Sequence, residues 1–262
     1  WTGGLATAAV PFAPDVRHAR TTLVFDAFTE YKLTVDGEWT IDRTNRYIRF
    51  GGYGPNSAIY APGQGRLALI EDVFSSQLGN DRDLFVYLPA AYFADPVARL
   101  PVLYLQDGFN VFHNPQAPFG TWDVEVTAEA MNGKGLAAPV VMVGVDTSDR
   151  LNEYLHAAID LGDGTVVTPK LAEYSTFLVD TVKPRIDATF RTRTDRASTG
   201  IAGSSLGGIS ALWIAWKHPD VFSRVGSFSG SYWVGEDGPV RAGESMRDVI
   251  EASVGTVAPG SL

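Results

Sequence analysis

The stretch that most limits how this chain can fold is Ile201-Ala202-Gly203-Ser204-Ser205-Leu206-Gly207-Gly208. It follows a short apolar run and opens a segment, Ile209 to Trp216, that is hydrophobic on nearly every face. The order predicts a strand, a sharp turn at Ser205 and a buried helix. Such a turn strains the serine backbone, and side chains two positions before or after it would collide, which accounts for Gly203 and Gly207. In return, a hydroxyl is presented at a helix N-terminus, where free N–H groups and the helix dipole favour developing negative charge. The competing reading is a glycine-rich turn used only for close packing. A strand before and a helix after favour a reactive serine.

Composition narrows the chemistry by exclusion. With 21 Lys and Arg against 30 Asp and Glu, the net charge is −9, which argues against nucleic acid or an anionic membrane as partner. No apolar run approaches the ~18 residues of a membrane span. The absence of cysteine excludes disulfides and thiolate chemistry. The opening Trp1-Thr2-Gly3-Gly4 carries neither a basic segment nor an apolar signal core, and the compartment stays open. No metal-ligand cluster or dinucleotide fingerprint appears, and Gly203-x-x-x-Gly207-Gly208 lacks the lysine and Ser/Thr of a phosphate loop, so no cofactor or metal is expected.

Two regions separate along the chain. Residues 1–62 read as a small β-rich domain. Tyr31-Lys32-Leu33-Thr34-Val35 alternates, Asp36-Gly37 supplies a hairpin turn, and Glu38-Trp39-Thr40-Ile41 alternates back. Trp39 is read as a hairpin core residue, with a sugar platform as the alternative. Residues 63–262 read as an α/β domain. Pro101 to Leu105 and Pro139 to Val145 are continuous apolar runs of the kind that form buried parallel strands. Thr121 to Met131 can be a helix. Leu171, Tyr174, Leu178 and Val182 recur at helical spacing, and Pro184 is expected to limit that helix. Strands alternating with helices predict a doubly wound, mostly parallel sheet.

Five ordered motifs carry a family resemblance: Y-L-Q-D-G-F-N-V-F at 104–112, G-V-D-T-S-D-R-L-N-E-Y at 144–154, P-R-I-D-A-T-F at 184–190, G-I-A-G-S-S-L-G-G at 200–208, and K-H-P-D-V-F followed by G-S-F-S-G-S-Y-W within 217–233. With them the chain resembles the esterase D-like branch of the α/β-hydrolases, which holds enterochelin esterases, feruloyl esterases and mycolyltransferases. The first region, Y-K-L-T-V-D-G-E-W-T-I-D followed by P-N-S, resembles the later strands of immunoglobulin-like glycogen-binding modules, the type of module that precedes enterochelin esterase domains. Where the family usually has His, this chain has Gln106.

The resemblance implies Ser205 as nucleophile, the N–H of Leu206 as one oxyanion donor and the N–H of Phe109, after Asp107-Gly108, as the second. It implies a pocket lined by Asp107, Gly108, Trp122, Asp123, Arg150 and Glu153; Arg150 and Glu153 read equally well as a salt bridge at the sheet rim. The expected reaction is hydrolysis of a small-molecule or carbohydrate-linked ester, with acyl transfer or a non-catalytic scaffold as rivals. In this fold the acid and the histidine follow the serine. After Ser205 comes His218 alone, thirteen residues on in the same helix, about 20 Å away along its axis, and it is expected to be structural. His18, His113 and His156 precede the serine, and His113 is the one worth testing. Glu236, Asp237, Glu244 and Asp248 sit in a polar segment with no strand to present them. The ending Ala258-Pro259-Gly260-Ser261-Leu262 reads as a turn before a further strand. The expectation is therefore a truncated hydrolase domain whose apolar edge near Val225–Phe228 would be covered by a second copy or by a complementing chain.

Overall fold

The computed structural model describes residues 28–236 and 245–254, together with the backbone of 10–13 and 16–18. The side chain of His18, residues Asp237 and Glu244, and the stretch 258–262 therefore lie outside the described residues. In chain order, β1 (Val10–Ala13) pairs antiparallel with β2 (Val16–His18). Strand β3 (Phe28–Tyr31) precedes the hairpin of β4 (Leu33–Val35) and β5 (Glu38–Thr40). That hairpin turns through Asp36 and Gly37 at φ 52° and 89°, the left-handed pair that a two-residue turn demands. Trp39 departs from the core reading: it is 62% exposed, because a two-stranded hairpin has no second layer to cover it.

The strands β6 (Tyr47–Gly51), β7 (Gly54–Tyr60), β8 (Arg66–Ser75) and β9 (Asn80–Leu88) follow, then α1 (Ala90–Ala94), β10 (Val102–Gln106), α2 (Gly108–Val111), α3 (Val124–Gly133), β11 (Val141–Val145) and α4 (Arg150–Glu153). The short ladder of β12 (Ile159–Asp160) and β13 (Val166–Val167) leads to α5 (Leu171–Phe177), a π turn at Leu178–Val182 and α6 (Lys183–Thr189). Last come β14 (Thr199–Ser204), α7 (Leu206–Lys217), β15 (Arg224–Phe228) and α8 (Met246–Ala252).

Nine strands form one sheet in the order β15-β14-β10-β11-β9-β8-β6-β7-β3. The four strands around the serine, β15, β14, β10 and β11, are parallel, and the remaining neighbours are antiparallel. β6 joins β8 through Tyr47↔Ala68 and Ile48↔Leu67. The boundary expected at residue 62 thus does not coincide with a break in the sheet, because β3, β6 and β7 continue it. Alternation along each strand divides the core. Val102, Tyr104 and Ile201 face the larger cluster with α5, α6 and α7, whereas Leu105 and Ala202 face the cluster that holds Val111 and Phe112. The chain leaves β10 for β11 on one side and later returns as β14 on the other. The crevice at the C-terminal end of β10 is therefore a topological switch point, where sheets of this kind bind ligands.

Pro184 does not end its helix. It lacks an N–H for the bond expected four residues back, and the π turn just before it widens the backbone so that the helix runs on to Thr189.

One buried ion pair ties three elements together behind the crevice. Arg82 on β9 meets both carboxylate oxygens of Glu153 on α4, at 2.8 and 3.0 Å, and each side chain is 1% exposed. The Arg82 guanidinium also donates to Asn80 and to the carbonyl of Asp146, and it lies over the Phe177 ring of α5. Removing one partner strands the other charge in a dry site, which costs about 3–5 kcal/mol. Glu153→Ala should lose stability on that scale in urea unfolding, and a double Arg82→Met, Glu153→Leu variant should recover much of it. A single variant as stable as the parent would mean that the pair is not carrying buried charge.

Candidate active site

Ser205 sits at φ 55°, ψ −123° between β14 and α7, a conformation that L-residues reach only when the surroundings enforce it. The enforcing contacts come from both sides. Its N–H donates to the carbonyl of Phe228, and its carbonyl accepts from the N–H groups of Gly208 and Ile209 inside α7 and of Ser231 beyond β15. The chain doubles back so tightly that a Cβ on Gly203 would lie 2.4 Å from the Gly207 carbonyl oxygen, and one on Gly207 would lie 3.0 Å from Asp107 Oδ2. At Gly203 the collision is thus with the backbone of the elbow itself, whereas at Gly207 it is with the Asp107 side chain in the loop after β10. The hydroxyl-bearing residue is exposed, and the Leu206 N–H at the head of the helix has no backbone acceptor among the described residues.

The loop after β10 faces the elbow. Asp107 is left-handed at φ 60° and is the residue before α2. Arg150 of α4 holds its carboxylate with Nε–Oδ1 at 2.5 Å and Nη2–Oδ2 at 3.0 Å, and the Asp107 N–H donates to Tyr154 Oη at 2.8 Å. Burial pushes the Tyr154 phenol well above its ordinary pKa, so this oxygen keeps its proton and serves as a neutral acceptor. Gly108 must be glycine: a Cβ there would lie 2.7 Å from the Gly144 carbonyl carbon of β11. Phe109 packs edge-on to Phe50, and its carbonyl accepts from Asn114. Gln106, in the position where the resembled family has His, is 2% exposed and accepts from Tyr174 Oη at 2.6 Å.

Between loop and elbow lies a narrow crevice of about 10 Å³ bordered by Gln106, Asp107, Asn110, Trp122, Gly203 and Ser204. The structure brings Asp107 and Trp122 to it. Trp122 crosses Phe228 edge-to-face at 5.7 Å, with both rings partly exposed. Asp123 turns aside, taking a hydrogen bond from Thr121 and pairing with His113 Nδ1 at 3.1 Å. Glu153 faces inward to Arg82, so it supports α4 from behind instead of lining the pocket. Arg150 and Glu153 do form salt bridges, but with Asp107 and Arg82 and not with each other. His218 is the C-cap of α7, and its Nε2 lies 3.3 Å from Ser175 Oγ.

Sequence reasoning passed over Ser231 and Asp146, and it placed Tyr154 in the pocket-lining loop without its bond to the Asp107 N–H. Ser231 and Asp146 both stand within the family motifs, but no spacing rule ties them to Ser205 or Asp107. Asp146 follows β11 directly, the position at a strand C-terminus where site residues gather. Burial, with Asp83 and Asp107 adding their negative fields, pushes its carboxyl up to about 6.

A strained serine between a parallel strand and a helix, beside a loop from the switch-point strand, defines a protein of the α/β-hydrolase type. Comparison with known proteins agrees. Residues 75–249 match the Esterase family, described as "Putative esterase", and the chain belongs to that family. Among curated relatives, an endo-1,4-beta-xylanase/feruloyl esterase of Xylanibacter ruminicola is 26% identical over 80% of this chain and 29% of its own length. The iron(III) salmochelin esterase of Escherichia coli O6:H1 is 29% identical over 59% of this chain and 33% of its own. The enterobactin esterase FES from Shigella flexneri shares the fold with TM-score 0.55 at 22% identity, over 86% of this chain and 55% of that one. The chain spans 29% and 33% of the lengths of these two curated relatives.

Two outcomes are expected. Gly203→Ala drives its methyl into the Gly207 backbone and should destabilise the fold by about 2–3 kcal/mol; an unchanged melting temperature would show that the elbow is slack. Asp146 follows from its raised pKa. Folding holds its proton between the ordinary value of 3.8 and about 6, so its contribution is most favourable below 3.8 and is lost as pH rises to about 6. Asp146→Asn keeps the acceptor for the Thr147 N–H and removes the charge. It should therefore stabilise the protein more at pH 7.5 than at pH 4, by a difference on the order of 1 kcal/mol. Equal effects at the two pH values would contradict the shift.

Proposed function

We propose that the protein is a serine esterase that cleaves a carboxylic ester through an acyl-enzyme on Ser205. The observation that carries this reading is the Ser205 backbone, strained at φ 55°, ψ −123° and exposed at the head of α7. Ser205 Oγ attacks the ester carbonyl carbon while a general base takes its proton, and the carbonyl oxygen becomes an oxyanion. The N–H groups of Leu206 and Phe109 receive that charge, each donor contributing on the order of 10²–10³ in rate. The C–O bond to the alcohol breaks, the alcohol leaves with the proton, and water then releases the acid by the same steps in reverse. His218 is not the base, because it caps the far end of the helix and is engaged with Ser175.

For the substrate we favour an ester whose acyl part carries an aromatic ring, a class that includes the feruloyl esters named in one relative. The support is that Trp122, at the rim of the crevice, and Phe228, crossed edge-to-face against it, expose aromatic surface on which such a ring can pack. The test uses the full-length protein with a fluorophosphonate probe and a panel of catecholate, feruloyl and acetyl esters. Ser205→Ala should abolish labelling and reduce turnover by about 10⁴ or more with little change in melting temperature. A loss of less than tenfold would remove Ser205 from the mechanism, and a preference for acetyl over both aromatic esters would overturn the substrate reading.

A further inference from the structure

We infer that Ser231 is a positioning residue for the nucleophile, its hydroxyl fixing where Ser205 Oγ points; the inference rests on Ser205 being the nucleophile. The two oxygens lie 3.3 Å apart, and among the described residues this is the side-chain partner that Ser205 Oγ has. Ser205 is exposed at the elbow, whereas Ser231 is 7% exposed. A free hydroxyl on an exposed serine samples three staggered rotamers. A buried hydroxyl beside it selects the one that keeps the contact.

That selection works only if Ser231 itself is held, and the surrounding contacts leave it little freedom. Its N–H donates to the Ser205 carbonyl at 3.0 Å, and its own carbonyl accepts from Val234 N–H at 3.2 Å. Val234 is fully buried in the main core. Upstream, Ser229 is left-handed at φ 46°, and a Cβ on Gly230 would lie 2.7 Å from both Ser227 Oγ and the Tyr232 ring. Tyr232 Oη in turn donates to Ser227 Oγ at 2.6 Å. The segment also presses on the helix: a Cβ on Gly208 would lie 3.1 Å from Gly230 Cα and 3.1 Å from the Phe228 carbonyl. Segment and elbow therefore form one packed unit, joined by the Ser205–Phe228 and Ser231–Ser205 backbone bonds on either side of the nucleophile.

Either hydroxyl can donate across this contact; the proton is assigned to Ser231, whose Oγ–H donates to a lone pair of Ser205 Oγ and leaves the Ser205 proton free for the general base. As that proton departs, the same contact becomes a hydrogen bond to an oxygen gaining negative charge, and such bonds are the stronger kind. No proton moves to or from Ser231 in either state. Its effect therefore falls on the chemical step and leaves substrate binding alone.

The experiment measures fluorophosphonate labelling and nitrophenyl-acetate turnover for the full-length protein, Ser205→Ala, Ser231→Ala and Ser231→Thr, with thermal melting alongside. Expected for Ser231→Ala is a kcat lower by roughly 3–10-fold, the span of one neutral hydrogen bond, with KM within twofold, the same melting temperature and the same proportional loss in labelling rate. Ser231→Thr restores the hydroxyl and should recover most of kcat. Unchanged kcat and labelling in Ser231→Ala overturn the inference while leaving Ser205 as nucleophile. A rise in KM with kcat intact assigns Ser231 to substrate contact instead. A fall in melting temperature in Ser231→Ala without recovery of kcat in Ser231→Thr assigns it to packing alone. If the parent protein labels no faster than Ser205→Ala, the nucleophile reading falls and this inference with it.

Discussion

The whole site depends on two backbone segments approaching more closely than any side chain permits. Gly203 lies against the Gly207 carbonyl with no room for a methyl group, and that contact turns a buried strand directly into a buried helix. From it follow the strained Ser205, the exposed hydroxyl and the open N–H groups at the head of α7. A longer turn would relax the serine and carry its oxygen away from the loop after β10. Strain at this residue persists because the structure around it is over-determined: the Ser205 peptide is bonded to α7 on one side and to the segment after β15 on the other.

The support for the opposite wall is arranged in depth. Arg82 fixes Glu153, Glu153 fixes α4, and α4 carries both Arg150, which grips the Asp107 carboxylate, and the turn to Tyr154, which takes the Asp107 N–H. Asp107 is thereby held left-handed just where Gly108 passes under β11. Charge is confined to side chains that position backbone, and the donors proposed to meet the substrate are peptide N–H groups. Such donors cannot swing away, so little reorganisation is needed at the moment of reaction.

The parts of this arrangement that were legible in the sequence are those governed by local sterics. Gly203, Gly207 and the Asp36-Gly37 turn could be read because their backbone needs are written in neighbouring residues. The apolar runs at 101–105 and 139–145 could be read because parallel strands buried on both faces have no polar side. What escaped depends on partners far along the chain. Glu153 read equally well as a pocket residue and as half of a salt bridge, because nothing near it in the chain reveals its partner Arg82 on β9. Pro184 looked like a helix end because a proline gives no sign that a π turn will absorb its missing bond. Trp39 looked like core because alternation identifies a face but not whether a second layer covers it. The division at residue 62 followed the change from alternating strands to a helix-containing pattern, whereas hydrogen bonding runs across it from β8 to β6.

The placement of β14 between β10 and β15 also has a consequence in time. β10 ends at Gln106, and β14 begins at Thr199, so on a ribosome adding about 5–20 residues per second the two are separated by on the order of 5–20 s. Through that interval β10 can pair with β11 but presents its other edge, a row of unmatched N–H and C=O groups on a strand with apolar side chains, to whatever strand arrives. The crevice cannot exist until the late strand fills that gap, because the elbow leaves from its end. Synthesis of this protein therefore passes through a stage in which the strand that carries the switch point still has an open edge, and chaperone cover during translation matters in the stretch of chain between those two strands.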